Sequence, residues 1–252
     1  MLQKKTAIWK KIIAFIFRVG FSLRYKVTLK GEEILKDKRV KLFLPNHQAL
    51  IEPLILISHI IKYNEISPAV SAKYFKNSFF RIIMKVANSV PVSDLEHGNR
   101  DINVLKKVKS DLLNRLLSGT SALLYPAGQL ASQGFEKIFN KQGAYNIVSE
   151  LPEDILIIGV RVSGFWGSMW SKAHSRNTPD FLEVLLKGLL IILYNMIFFT
   201  PRRNVCFEFI DITDIAKQKS KVDRKSFNLY LESFYNQENI EPLTKIKYFF
   251  YS

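Results

Sequence analysis

His47 and Glu52 stand five residues apart in Leu44-Pro45-Asn46-His47-Gln48-Ala49-Leu50-Ile51-Glu52-Pro53, after an apolar run and just ahead of a proline. An imidazole beside a carboxylate can work as a general base. The acid fixes the ring's tautomer and stabilises the imidazolium formed when the ring takes a proton. Five residues of regular helix turn the chain by roughly 500°, which leaves the two side chains on different faces. They meet only if the chain leaves a strand, turns through His47 and enters a helix near Glu52. Pro53 suits that entry, because the first helical position needs no N–H. A polar loop with an incidental histidine has the same spacing, so spacing alone leaves both readings open.

Two further segments stand in register with the first. Leu124-Tyr125-Pro126-Ala127-Gly128-Gln129 is a strand end running into a Pro-Ala-Gly turn, and Val160-Arg161-Val162-Ser163-Gly164-Phe165-Trp166-Gly167-Ser168 is a strand leading into another turn. Asn46-His47 followed by an acid and Pro53 resembles the first signature block of the lysophospholipid (glycerolipid) acyltransferase family, whose usual acid is Asp. The Tyr-Pro-Ala-Gly-Gln segment is similar to its Phe-Pro-Glu-Gly-Thr-Arg block, and residues 160–168 resemble its fourth block. The resemblance implies acyl transfer from a thioester, either acyl-carrier protein or acyl-coenzyme A, to the hydroxyl of a lysolipid-like acceptor. No bound cofactor is implied. His47 would be the general base and Glu52 its orienting acid, a role worth on the order of 10² to 10⁴ in rate. Asn46, Lys73, Tyr125, Pro126, Gly128, Gln129 and Arg161 are the expected substrate contacts. No covalent intermediate is needed, and the chain has no Gly-x-Ser-x-Gly elbow.

The chain also departs from the family pattern. Ala127 replaces the usual Glu of the third block, and Gln129-Leu130 replaces Thr-Arg. The segment Asn88 to Asp94 has the character of the second block but ends in Asp where an arginine is common. A bidentate guanidinium grip on an acceptor phosphate is therefore missing at those places. Lys73, Lys76, Arg81 and Arg161 are the substitutes on offer, Arg161 the best placed of them. These departures support a second reading, a lipid-binding or scaffold protein of the same fold without turnover.

The elements that must carry these residues follow from periodicity. Val27–Lys30, Val40–Leu44, Ala69–Ala72, Ser121–Tyr125, Ile155–Val162 and Val205–Ile210 read as strands. Pro53–Tyr63, Asn77–Asn88 and Asp101–Ser118 read as helices, the last with Val104, Leu105, Val108, Leu112 and Leu116 on one face. Strands alternating with helices predict an α/β layered fold. With the resemblance, that becomes a mixed central sheet flanked by helices, with membrane-facing helical additions.

Residues 1–26 read as a basic amphipathic helix lying in a membrane interface, with Lys4, Lys11 and Arg18 recurring every seven residues among Trp9, Ile12, Phe15 and Ile16. Residues 27–252 form the acyltransferase domain. Within it, Phe181–Thr200 is an apolar stretch of spanning length. Glu183, Lys187 and Tyr194 give that stretch a polar stripe, which favours an interfacial or packed helix over a lone span.

The chain has 252 residues, 48% of them hydrophobic, and a formal charge of +15. Nucleic acid is disfavoured as a partner, because no zinc spacing, RNA-binding aromatic signature or basic recognition helix is present. An anionic membrane surface on the cytoplasmic face suits the charge better. No His, Cys or carboxylate cluster has metal-ligand spacing, so no catalytic metal is expected. Cys206 reads as a strand residue and His59 as structural. His97 and His174 read as loop residues. Trp166 and Trp170 either line an acyl pocket, sit at the interface or pack in the core.

Overall fold

Leu42, Phe43 and Leu44 are apolar on both faces of a strand, and such a strand needs cover on both. The computed structural model, which describes residues 2–76, 81, 84, 87–92, 102–197, 199–237 and 240–250, sets it in the middle of a seven-stranded sheet. In chain order the elements are α1 (Leu2–Ser22), β1 (Tyr25–Lys30), a 3-10 turn (Glu32–Lys36), β2 (Lys41–Pro45), α2 (Glu52–Ile60) and β3 (Ile66–Ser71). Then come α3 (Lys73–Lys76), β4 (Val90–Val92), α4 (Ile102–Leu117), β5 (Ser121–Leu123), α5 (Gly143–Val148) and β6 (Leu156–Ser163). The chain continues through α6 (Phe181–Tyr194), β7 (Arg203–Asp211), α7 (Thr213–Val222) and α8 (Arg224–Tyr235).

The strand order is β1-β7-β6-β2-β5-β3-β4. Every neighbouring pair is parallel except β6 and β7, so the sheet is mixed. Strand alternation divides the core. Leu42 and Leu44 pack with Leu112, Leu116, Phe227 and Phe234 on one face, while Phe43 packs with Ile55, Leu56 and Phe209 on the other. This is the layered α/β architecture the sequence predicts.

Boundaries differ by a few residues, and some elements differ in kind. The apolar stretch 181–200 is helical only to Tyr194, where Asn195 caps it, and Met196 and Ile197 adopt left-handed backbone at φ 48° and 59°. Among the described residues, no helix is long and apolar enough to cross a membrane. The expected helix at Asn77–Asn88 lies largely outside the described residues, as do Asp94 and His97. Helices α5, α7 and α8 and strand β4 have no counterpart in the sequence reading. Asp223 nevertheless marks the start of α8, its carboxylate accepting the Ser226 N–H at 2.7 Å.

Candidate active site

The parallel neighbours β5, β2 and β6 place the loops that follow them side by side at the sheet's carboxyl edge, where open α/β sheets form their crevices. His47 leaves the end of β2, and Glu52 opens α2 with Pro53 behind it in the first turn. The ring Nδ1 of His47 lies 2.8 Å from Glu52 Oε1. Glu52 is fully buried, and its Oε2 accepts the backbone N–H groups of Gln48 at 2.8 Å and Ala49 at 2.9 Å. Burial pushes the carboxyl above its ordinary range, while His47 and the two backbone donors pull it back. With Nδ1 turned to an acceptor, Nε2 is the nitrogen left to take a proton.

The ring is held on its flat side as well. Tyr125, on the loop after β5, stacks on it with centroids 4.1 Å apart and planes 29° apart. The histidine backbone is gripped from both ends. Its carbonyl accepts the Ala131 N–H at 2.7 Å, and its N–H donates to Glu136 Oε2 at 2.9 Å. Burial, with the charges of Glu52 and Glu232, pushes the Glu136 carboxyl up to about 8, although the His47 N–H opposes this. Asn236, at the end of α8, fixes Glu136 in turn, accepting its N–H at 2.8 Å and donating to its carbonyl at 3.0 Å.

His47 also forms part of the wall of an apolar channel of about 350 Å³. Ile13, Ala14 and Phe17 of α1, Leu54 and Ile57 of α2, and Phe181 of α6 contribute to it. The His47 side chain keeps 15% of its exposure there. A base, its acid and an apolar cavity thus meet at one point.

A model of the acyltransferase family matches residues 26–163, which span the loops after β2 and β5 and the whole of β6. The chain belongs to that family. Among solved structures, the 1-acyl-sn-glycerophosphate acyltransferase PlsC from Thermotoga maritima superposes with a TM-score of 0.59, covering 94% of this chain and 80% of its own. The two share 15% sequence identity, so this likeness speaks for the fold. No curated protein matches by sequence.

In this acyltransferase the anticipated substrate contacts divide. Tyr125, Gly128 and Gln129 line the channel with His47. Gly128 sits at φ 64°, a left-handed turn that favours glycine. Pro126 is buried in the same loop and is not part of the channel wall. Asn46 faces the other way. Its amide donates to the Val162 carbonyl at 3.0 Å and accepts the Val162 N–H at 2.7 Å, extending the β2–β6 ladder past the end of β2. Arg161 is not brought to the channel either. It pairs with Glu208 at 3.0 Å and donates to Gln237 at 2.8 Å, in a polar cavity on the opposite side of the loop. Lys73 opens α3, and its side chain lies outside the described residues. Trp166 and Trp170 are core residues, Trp170 against Phe181 at 5.2 Å.

Three residues that position the histidine escape a reading by motif. Gln48 donates to Glu241 at 2.6 Å and accepts the Phe165 N–H at 3.2 Å, joining the His47 loop to the turn after β6. Glu241 closes the link by accepting the Gly164 N–H at 2.7 Å. Gly164, at φ 90°, leaves no room for a Cβ, which would fall 2.3 Å from the Asn204 carbonyl. Glu136 is the third. Its apolar neighbours Phe135 and Ile138 were the one local sign that this acid is buried.

Proposed function

We propose that this acyltransferase moves a fatty acyl group from acyl-carrier protein or acyl-coenzyme A to the hydroxyl of a lysophospholipid-like acceptor, at a membrane surface. The observation that carries the proposal is the 2.8 Å contact between His47 Nδ1 and Glu52 Oε1 at the wall of an apolar channel. The acceptor class follows the structural likeness to an enzyme named for 1-acyl-sn-glycerophosphate.

The acceptor hydroxyl gives its proton to Nε2 of His47 as its oxygen attacks the thioester carbonyl. The imidazolium that forms is stabilised by the carboxylate of Glu52. Collapse of the tetrahedral intermediate breaks the C–S bond, and the thiolate takes the proton back from the ring. No metal or bound cofactor enters these steps. The channel suits the fatty chain, because each buried methylene contributes roughly 0.8 kcal/mol.

Membrane association is supported by what the two apolar helices leave uncovered. On α1, Ile8, Trp9, Phe15 and Ile16 are exposed, and on α6, Leu186, Leu189, Leu190 and Leu193 are. Apolar surface of this extent on helices that border one channel is suited to an interface.

Turnover by purified protein with both donors and a panel of lysolipid acceptors tests the proposal. His47→Ala should lower kcat at least about a hundredfold while keeping the wild-type circular dichroism spectrum. Near-normal turnover in that variant would remove the mechanism. No thioester consumption by the wild type would favour a binding or scaffold protein instead.

A further inference from the structure

A cavity of about 300 Å³ lies apart from His47, between the turn after β6, the start of β7, α6 and segment 240–250. Arg24, His174, Lys187, Arg203 and Lys245 line it, and among the described residues no carboxylate does. Two of the four Arg and Lys side chains are committed to neutral acceptors. Arg203 is only 6% exposed and donates to the carbonyls of Gly164 at 2.8 Å and Thr244 at 2.6 Å. Arg24 donates to the Pro201 carbonyl and the Tyr248 hydroxyl, each at 2.8 Å. None of Arg24, Lys187, Arg203 and Lys245 forms an ion pair with a described residue. The charge of Glu241 reaches Arg203, but Glu241 does not line the cavity and its two oxygens are held by Gln48 and Gly164. Arg24 and Arg203 repel each other across the cavity wall, and an anion seated among the cations relieves that repulsion.

Ser168 gives an independent sign. It lines the same cavity, is 5% exposed, and its Oγ has no hydrogen-bond partner among the described residues. A hydroxyl donor on the wall of a cavity lined by cations matches a phosphate oxygen. The setting distinguishes a lipid from a free ion. Lys187 lies at the exposed rim on α6, between Leu186 and Leu190, which are themselves exposed. A phosphate seated here has acyl chains running along an apolar helix face.

We infer that this cavity is a headgroup site for an anionic phospholipid, separate from the acceptor site at His47, that fastens α6 to the membrane. The inference rests on the membrane association proposed above.

The test titrates the full-length protein calorimetrically with monomeric short-chain phosphatidylglycerol and, separately, with inorganic phosphate. Sedimentation with phosphatidylcholine vesicles, with and without phosphatidylglycerol, follows. Saturable binding of the short-chain lipid is expected. A Lys187→Gln/Lys245→Gln double variant should weaken it roughly thirtyfold, each cation near an anionic lipid being worth about fivefold. Ser168→Ala should weaken it roughly tenfold. Lys106→Gln/Lys107→Gln on α4 should leave it unchanged, and turnover of a water-soluble acceptor should be unchanged in every variant. Absence of saturable lipid binding, or an equal loss in the α4 pair, would overturn the inference. Inorganic phosphate binding as tightly as the lipid would reassign the cavity to a free ion. Binding of acyl-carrier protein that the Lys187→Gln/Lys245→Gln variant loses, with no lipid binding, would overturn the inference and reassign the cavity to an acidic protein. Saturable short-chain binding without vesicle binding would sink the membrane reading and uphold the headgroup site.

Discussion

Glu52 gives one oxygen to the histidine ring and the other to two backbone N–H groups, so its orientation is fixed in either protonation state of His47. This constrains what a carboxamide would do there. In Glu52→Gln the side-chain oxygen stays with the Gln48 and Ala49 N–H groups, and the NH2 must face Nδ1. The ring then carries its proton on Nε2 and cannot act as a base. Turnover should fall on the order of 10⁴-fold, with little change in the unfolding midpoint, as steady-state kinetics and thermal melts would show. Glu136 makes a pH prediction. Folded, it titrates at about 8, against an ordinary value of 4.5. Across that window the native state binds the extra proton, so the stability it confers is full at low pH and is lost as pH rises through about 8. Melting midpoints measured between about pH 5 and 9 should decline in the wild type, and Glu136→Gln should flatten that slope. The His47–Glu52 pairing was legible because both partners share one short loop. Glu136 and Glu241 were not, since they reach His47 and Gln48 from 89 and 193 residues away.

Helix α1 shows how an element can serve two sides. Ile13, Ala14 and Phe17 face the channel, while Ile8, Trp9, Phe15 and Ile16 face outward. The heptad of basic residues reads in the sequence as one continuous polar stripe, and the structure departs from that. Arg18 turns inward to donate to the Ser58 carbonyl in the last turn of α2, where a cation is favoured by the helix dipole. Ala14, 3% exposed, is a small residue on the channel wall. Ala14→Phe should shift donor preference to shorter acyl chains, by roughly tenfold or more per methylene in relative kcat/KM. Competition assays with mixed-length donors would measure the shift. The long helix α4 was readable because its apolar period persists over 16 residues. β4 has only three residues, too short to establish alternation, and α5 has six. The turn at 195–197 that ends α6 rests on left-handed backbone at Met196 and Ile197, which hydropathy does not report.

Across the whole molecule, three sequence blocks became one site only through strand order. Sequence spacing separates the loops after β2, β5 and β6, while the sheet sets β2 between the other two. Alternating strand and helix signals sufficed for the layered class. They carried no information on which strands are neighbours. The +15 charge belongs to this scale as well. Screening shortens from about 10 Å at 0.1 M salt to about 3 Å at 1 M, so sedimentation with anionic vesicles should weaken across that range. Apolar insertion of α1 and α6 should retain a residual fraction at high salt, and complete release would show that charge alone holds the protein there. The link between Gln48 and Glu241 has a consequence for proteolysis. Glu241 lies beyond Tyr235, where α8 ends, and ties the His47 loop to the turn after β6. A protease cut after Gln237 should therefore leave the sheet and its helices intact while loosening the loop that carries the base.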